Sequence, residues 1–416
     1  MATSIALPKE QLDRDPQRTL ASQTTNAPAY NVSIGYLRAV VTLLVLAHHS
    51  VLAYVTFGSP APTSLTGPIR WWEASPIVDS RHWSGFDLLV GFNDIFFMSL
   101  MFFLSGLFVW QSLRRKGAGH FLRDRALRLG VPFAVAAAAV APIAYYPAYL
   151  QTGQGGGIAG FWQQWRALGN WPAGPAWFVW VLLAFDVIAA ALLWILPTWG
   201  DKLGKLSSAA DRHPIRFFFK LALFSAVAYI AMEMIFNAFQ WSSWGPFTFQ
   251  TSRILHYFVY FLFGAGVGAY GLSRGLLANG GKLARRWWLW AIGAFAAFVL
   301  SSAVGLLTLT AHLGSRGWEF AADASWVVSC GVSSFAFLAL FVRFATTRSK
   351  IFDSLTGNAY GMYLIHYAFV GWLQLAVLKS QVPAIAKGSL VFVGTVLLSW
   401  GATAALRRIP AVAKVI

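Results

Sequence analysis

Of the 416 residues, 57% are hydrophobic and 11% charged, far below the roughly 25% charged residues of a water-soluble domain, so a soluble globule is excluded. The formal charge of +17 does not mark a nucleic-acid binder, because Lys and Arg sit in short connectors between apolar runs rather than on one soluble face. With one cysteine, Cys330, neither an intramolecular disulfide nor a cysteine-cluster metal site can form.

The first stretch, Met1 to Asn31, is polar and lacks the apolar centre of a cleavable signal peptide, so a mobile cytosolic tail is expected over 1–33. Apolar runs then recur over 34–56, 90–111, 129–150, 176–197, 217–238, 254–273, 287–310, 323–344, 358–378 and 388–406. Each is long enough to cross a hydrocarbon core ~30 Å thick. The expected architecture is an all-α polytopic membrane protein of about ten transmembrane helices. Its membrane domain runs over 34–408 and a short cytosolic tail over 409–416.

The connectors alternate in charge. The connector after the second run carries Arg114, Arg115, Lys116, Arg123, Arg125 and Arg128, and the one after the fourth carries Lys202, Lys205, Arg212, Arg216 and Lys220. The connector after the third holds Arg166 alone, and 237–252 has no Lys or Arg. This bias places the basic connectors and both termini in the cytoplasm. The long connectors on the other side, 57–89 and 151–175, are rich in Gly, Pro and Trp. Tryptophans there read either as an interfacial belt or as a surface on which a sugar ring can stack.

In the first run, "YLRAVVTLLVLAHHS", Arg38 lies near the cytoplasmic start and His49 eleven residues further on. At ~1.5 Å and ~100° per residue, His49 is about 16 Å deeper and on the same helical face as Arg38, whereas His48 is turned aside by about 80°. Arg38 can snorkel to the interface. The histidines read as interhelical hydrogen-bonders or as functional groups.

In "GHFLRDRALRLGVPF", Arg125 and Arg128 are three apart and share a helical face, so they read as positive-inside charge or as a clamp for phosphates. Ser105 and Gly106 read as small residues for close helix packing. Asp94, Asp186 and Glu233 are acids embedded in apolar runs. His366, in "LTGNAYGMYLIHYAFV", lies about 12 Å into its run, a depth similar to that of His49.

Four stretches in order resemble the integral membrane acyltransferase 3 family: "YLRAVVTLLVLAHHS", the second run with its basic loop through Arg125 and Arg128, "GPAWFVWVLLAFDVI" and "YGMYLIHYAFV". The absence of an appended soluble catalytic domain is similar to the glucan biosynthesis protein C-like branch. The resemblance implies transfer of an acyl group, of acetyl or succinyl class, from cytosolic acyl-CoA to a hydroxyl of an extracytoplasmic carbohydrate or related acceptor, without a metal. It implies His49 as the essential histidine, with Arg38, Arg125 and Arg128 serving the donor. His366, matched in depth, joins His49 and Arg38 in the expected catalytic set, and Arg114 and Arg115 join the donor site by position and charge.

The expected location is the inner membrane, with bilayer lipid, acyl-CoA and the saccharide as partners and no nucleic acid. Family members commonly carry an acid three residues before the motif arginine; here that position is Gly35. The rival reading is a transporter or flippase with the embedded His, Asp and Glu as a relay.

Overall fold

The computed structural model describes residues 31–310 and 315–416. Helix α1, Val32–Val51, tightens into a 3-10 turn through Tyr54, and α2 spans Ser84–Gly106. The next span is assembled from α3, Val109–Arg125, α4, Val131–Val135, and α5, Ala141–Gln151. Two π-type turns, Ala126–Gly130 and Ala136–Val140, join these pieces. There follow α6, Gly157–Ala167; α7, Trp177–Ile195; α8, Trp199–Arg212; and α9, Pro214–Phe236. An antiparallel hairpin, β1 Trp241–Trp244 and β2 Phe247–Gln250, precedes α10, Ile254–Tyr270. The remainder is α11, Lys282–Arg285; α12, Trp287–Thr310; α13, Arg316–Phe344; α14, Lys350–Val377; α15, Ala384–Leu406; and α16, Pro410–Ala413.

The protein is an all-α polytopic membrane protein. Eight of the described helices are long and apolar enough to cross a membrane, or nine if α10 and the bent segment after it count as one span. The ninth expected span, 358–378, lies on α14, which is 28 residues long. It fails on apolarity because Asn358, His366, Gln374 and three tyrosines interrupt it. Such a helix must turn its polar side chains inward, and Asn358, His366 and Gln374 are all buried.

Other boundaries shift for local reasons. The tail expected over 1–33 lies outside the described residues up to position 30. Val32 and Ser33, assigned to it, instead form the first turn of α1, where the Ser33 hydroxyl donates to the Ala345 carbonyl at 2.9 Å. The expected basic loop after the second run is helical, broken only at Gly117, whose φ of 73° glycine adopts without steric cost. The tail expected over 409–416 includes α16, and Ile416 packs against the main apolar core.

The irregular third span follows from its prolines. Pro132 has no N–H to give to the Arg128 carbonyl, and its ring crowds that oxygen. The turn there widens, and the Arg128 carbonyl instead accepts the Tyr360 hydroxyl at 2.7 Å. Pro147 likewise cannot serve the Ile143 carbonyl, which accepts the Trp372 indole at 3.1 Å. Within the second π-type turn the Ala137 carbonyl accepts the Trp171 indole at 2.8 Å. Two of these three donors come from α14, so the third span and α14 complete each other's hydrogen bonding.

The core is aromatic, with Phe96, Phe102, Phe103, Tyr257 and Tyr260 fully buried between α2 and α10. These two helices meet backbone to backbone: a methyl group at Gly106 would collide with the Phe261 carbonyl, and one at Gly264 or Gly268 with the Phe103 or Leu107 carbonyl. The small residue Gly106 therefore performs the close packing expected of it.

Candidate active site

Helices α1 and α14 pack along each other and bring His49 and His366 together. The His49 Nδ1 lies 2.8 Å from the Val45 carbonyl, and the His366 Nδ1 lies 2.6 Å from the Tyr363 carbonyl. A carbonyl oxygen only accepts, so Nδ1 carries the proton in both neutral rings. The His366 Nε2 is then a bare acceptor, 3.3 Å from the His49 Nδ1. His49 is left with an unprotonated Nε2 that no described residue bonds, the atom a general base needs. Gln374, one face further along α14, donates its amide to the His49 and Ser50 carbonyls at 3.1 and 3.2 Å and fixes the end of α1. His48 is different: its ring stacks on Phe97 at 5.2 Å, and its buried Nδ1 bonds no described residue.

One side of the pair is covered by loops. Tyr367 sets its ring edge against His49 at 5.2 Å between centroids and donates its hydroxyl to the Ala74 carbonyl at 2.8 Å. Tyr145 donates to the Glu73 carbonyl at 2.7 Å. The turn over Trp71–Glu73 thus rests on Tyr367, which touches His49, and on Tyr145, which packs against Tyr367 at 5.5 Å between centroids. The Gly174–Ala176 turn is tied to α14 by the Tyr363 hydroxyl, which donates to the Pro175 carbonyl. Burial pushes the Glu73 carboxyl above its ordinary value, opposed by the charge of Arg70 and by hydrogen bonds from Asn170 and Arg70.

The arginines are distributed in an unexpected way. Arg125, at the end of α3, turns inward: its Nε lies 3.1 Å from an Asp186 oxygen on α7, and its guanidinium sits over the Phe121 ring at 5.1 Å. Arg128 is exposed. The two arginines of the expected clamp differ in burial: Arg125 is half-buried against α7, while Arg128, in the π-type turn that begins at Ala126, is exposed. Arg38 is exposed, and it and Arg125 both lie within electrostatic reach of the Tyr360 hydroxyl on α14. Arg114 pairs with Asp201 of α8 at 3.3 Å, while Arg115 is exposed.

Two turns of α14 thus connect a group of arginines to a histidine pair within an apolar bundle. A family model described as an acyltransferase domain matches residues 31–404. The chain belongs to the acyltransferase 3 family. No curated protein and no solved structure matches it. The chain is thus a membrane acyltransferase, and a transporter or flippase is not favoured.

Several polar groups of this acyltransferase escaped sequence reasoning. Asp186 had no assignable partner in the sequence, because Arg125 reaches it from another helix. Asp94 pairs with Arg253 at 2.8 Å, and Arg253 is buried beneath Trp326 although it follows a charge-free connector. His256 lies between Ser99 at 2.9 Å and Ser225 at 2.6 Å, with Cys330 at 3.6 Å. Lys387 and Asp79 form a fully buried pair at 2.7 Å. Glu233 faces Asp323 of α13. On α14 a signal did exist: Tyr360, Tyr363 and Tyr367 follow at three and four residues, one helical face beside His366 and Gln374.

Proposed function

We propose that this acyltransferase moves an acetyl- or succinyl-class group from cytosolic acyl-CoA to a hydroxyl of an extracytoplasmic carbohydrate or related acceptor, in the inner membrane. The observation that carries the reading is the His49–His366 pair, whose hydrogen bonds leave the His49 Nε2 bare. A hydroxyl is a poor nucleophile toward a thioester until a base takes its proton. As the acceptor oxygen attacks the thioester carbon, its proton passes to the His49 Nε2. The carbon–sulfur bond then breaks, and the proton leaves with the coenzyme A thiol.

While His49 holds that proton, its Nδ1–H strengthens its bond to the His366 Nε2, which shares the positive charge. A second route uses the same lone pair: His49 attacks the thioester itself and passes the acyl group to the hydroxyl. Arg125, Arg128 and Arg38 meet the phosphates of the donor, for which guanidinium groups are suited by charge and planarity. The basic connectors support a cytoplasmic position for these arginines. Arg114 and Arg115, on the same basic connector, add positive charge that attracts the donor.

The test is acyl transfer on membranes carrying His49→Ala or His48→Ala. Loss of a positioned general base costs about 10²- to 10⁴-fold. We expect that loss for His49→Ala and near-complete retention for His48→Ala; equal activities in the two would remove His49 from the chemistry. An acid-quenched reaction that yields protein with an acyl mass on His49 would select the second route.

A further inference from the structure

The geometry points to Asp186 as the residue that positions Arg125 for the acyl donor, an inference that rests on the donor reading above. Asp186 is wholly buried on α7, so it cannot itself meet a cytosolic ligand, whereas the Arg125 side chain is 23% exposed. The contact at 3.1 Å is made through Nε, the inner edge of the guanidinium. Neither terminal nitrogen bonds a described residue, so the outer fork is open to the two oxygens of one phosphate. Phe121 lies against the flat face of the same group and restricts its tilt.

The Asp186 side is as informative. Its two oxygens have no hydrogen-bond partner among the described residues, and the nearby cation is Arg125. A buried carboxylate without hydrogen bonds is expensive to keep for packing alone, and the adjoining positions Phe185 and Ala189 show that α7 supplies apolar groups at this depth. Arg128, in the π-type turn that follows, is exposed, so of the two arginines it is Arg125 that Asp186 meets. A single arginine at the end of a regular helix thus becomes a directed donor group through a carboxylate some sixty residues later in the chain.

The experiment measures coenzyme A binding to the purified full chain in lipid nanodiscs, which involves neither acceptor nor chemistry. Asp186→Asn keeps shape and removes charge, and is expected to weaken binding about tenfold; Arg125→Ala is expected to weaken it at least as much. The double variant Asp186→Asn, Arg125→Ala should bind no worse than Arg125→Ala alone, because Asp186 acts only through the arginine. A merely structural Asp186 would instead add its loss to that of Arg125. In transfer assays Asp186→Asn should raise the donor KM with little change in kcat. If the asparagine variant does not accumulate as monodisperse protein, Asp186→Ser is measured in its place. Wild-type affinity in Asp186→Asn, or additive losses in the double variant, overturns the inference alone; wild-type affinity in Arg125→Ala removes Arg125 from the donor site as well. No coenzyme A binding by the unaltered protein overturns the donor reading and the inference with it.

Discussion

His48 and His49 are adjacent in sequence and chemically identical, yet one ring is stacked on Phe97 and the other is bonded through Nδ1 with Nε2 left bare. What separates them is ~100° of helical rotation, which aims one at α14 and the other at α2. Glu73 offers a test at the same scale, outside the apolar spans. Its carboxyl is held above the ordinary value mainly by burial, so the folded protein binds the proton more tightly than the unfolded chain. Stability from this group is therefore fullest at acid pH and is lost as pH rises through the window between the unfolded value, about 4.3, and the raised folded one. Glu73→Gln should flatten that slope in thermal melts across the window, and an unchanged slope would assign the dependence to another group.

At the scale of elements, the third span shows what a sequence withholds. The depth of His49, its alignment with Arg38 and the matching position of His366 all follow from the constant rise and rotation of a helix, and His366 duly stands beside His49. The stretch from Arg125 to Arg128 was read with the same arithmetic as a regular helix, but Pro132 lies four residues after Arg128 and the turn widens to accommodate it. Periodicity is blind to such a change, and equally to partners such as Asp186, which tertiary packing supplies.

Tyr360→Phe removes the hydroxyl that satisfies the Arg128 carbonyl. Interhelical hydrogen bonds in membranes are worth about 0.6 kcal/mol on average and up to about 1.7, and a loss in that range is expected on unfolding in detergent. Tyr146→Phe is the control, since that hydroxyl bonds no described residue. Equal melting of the two variants would show that the carbonyl finds another donor.

At the scale of the whole molecule, two contacts of different kinds join distant parts of the chain. One is the glycine approach of α2 and α10, where Gly268→Val would drive a side chain into the Leu107 carbonyl. That variant should fail to yield monodisperse protein, whereas Gly305→Ala, which meets open space, should behave as wild type. The other is the buried Lys387–Asp79 pair, which ties α15 to the loop that follows α1. Removing one partner of a buried pair costs about 3–5 kcal/mol, so Lys387→Met should destabilise strongly, and Lys387→Met with Asp79→Leu should recover much of the loss. A double variant no more stable than the single one would count against the pair as the cause.

The carbonyls freed by proline in the third span set a condition on synthesis. Their donors on α14 lie 232 and 229 residues later in the chain. While the ribosome makes those residues, the early span must keep its bare oxygens in water or against the insertion machinery, since lipid cannot satisfy them. Chains ended before Lys350 should accordingly be cleared by quality-control proteases faster than chains ended after α14.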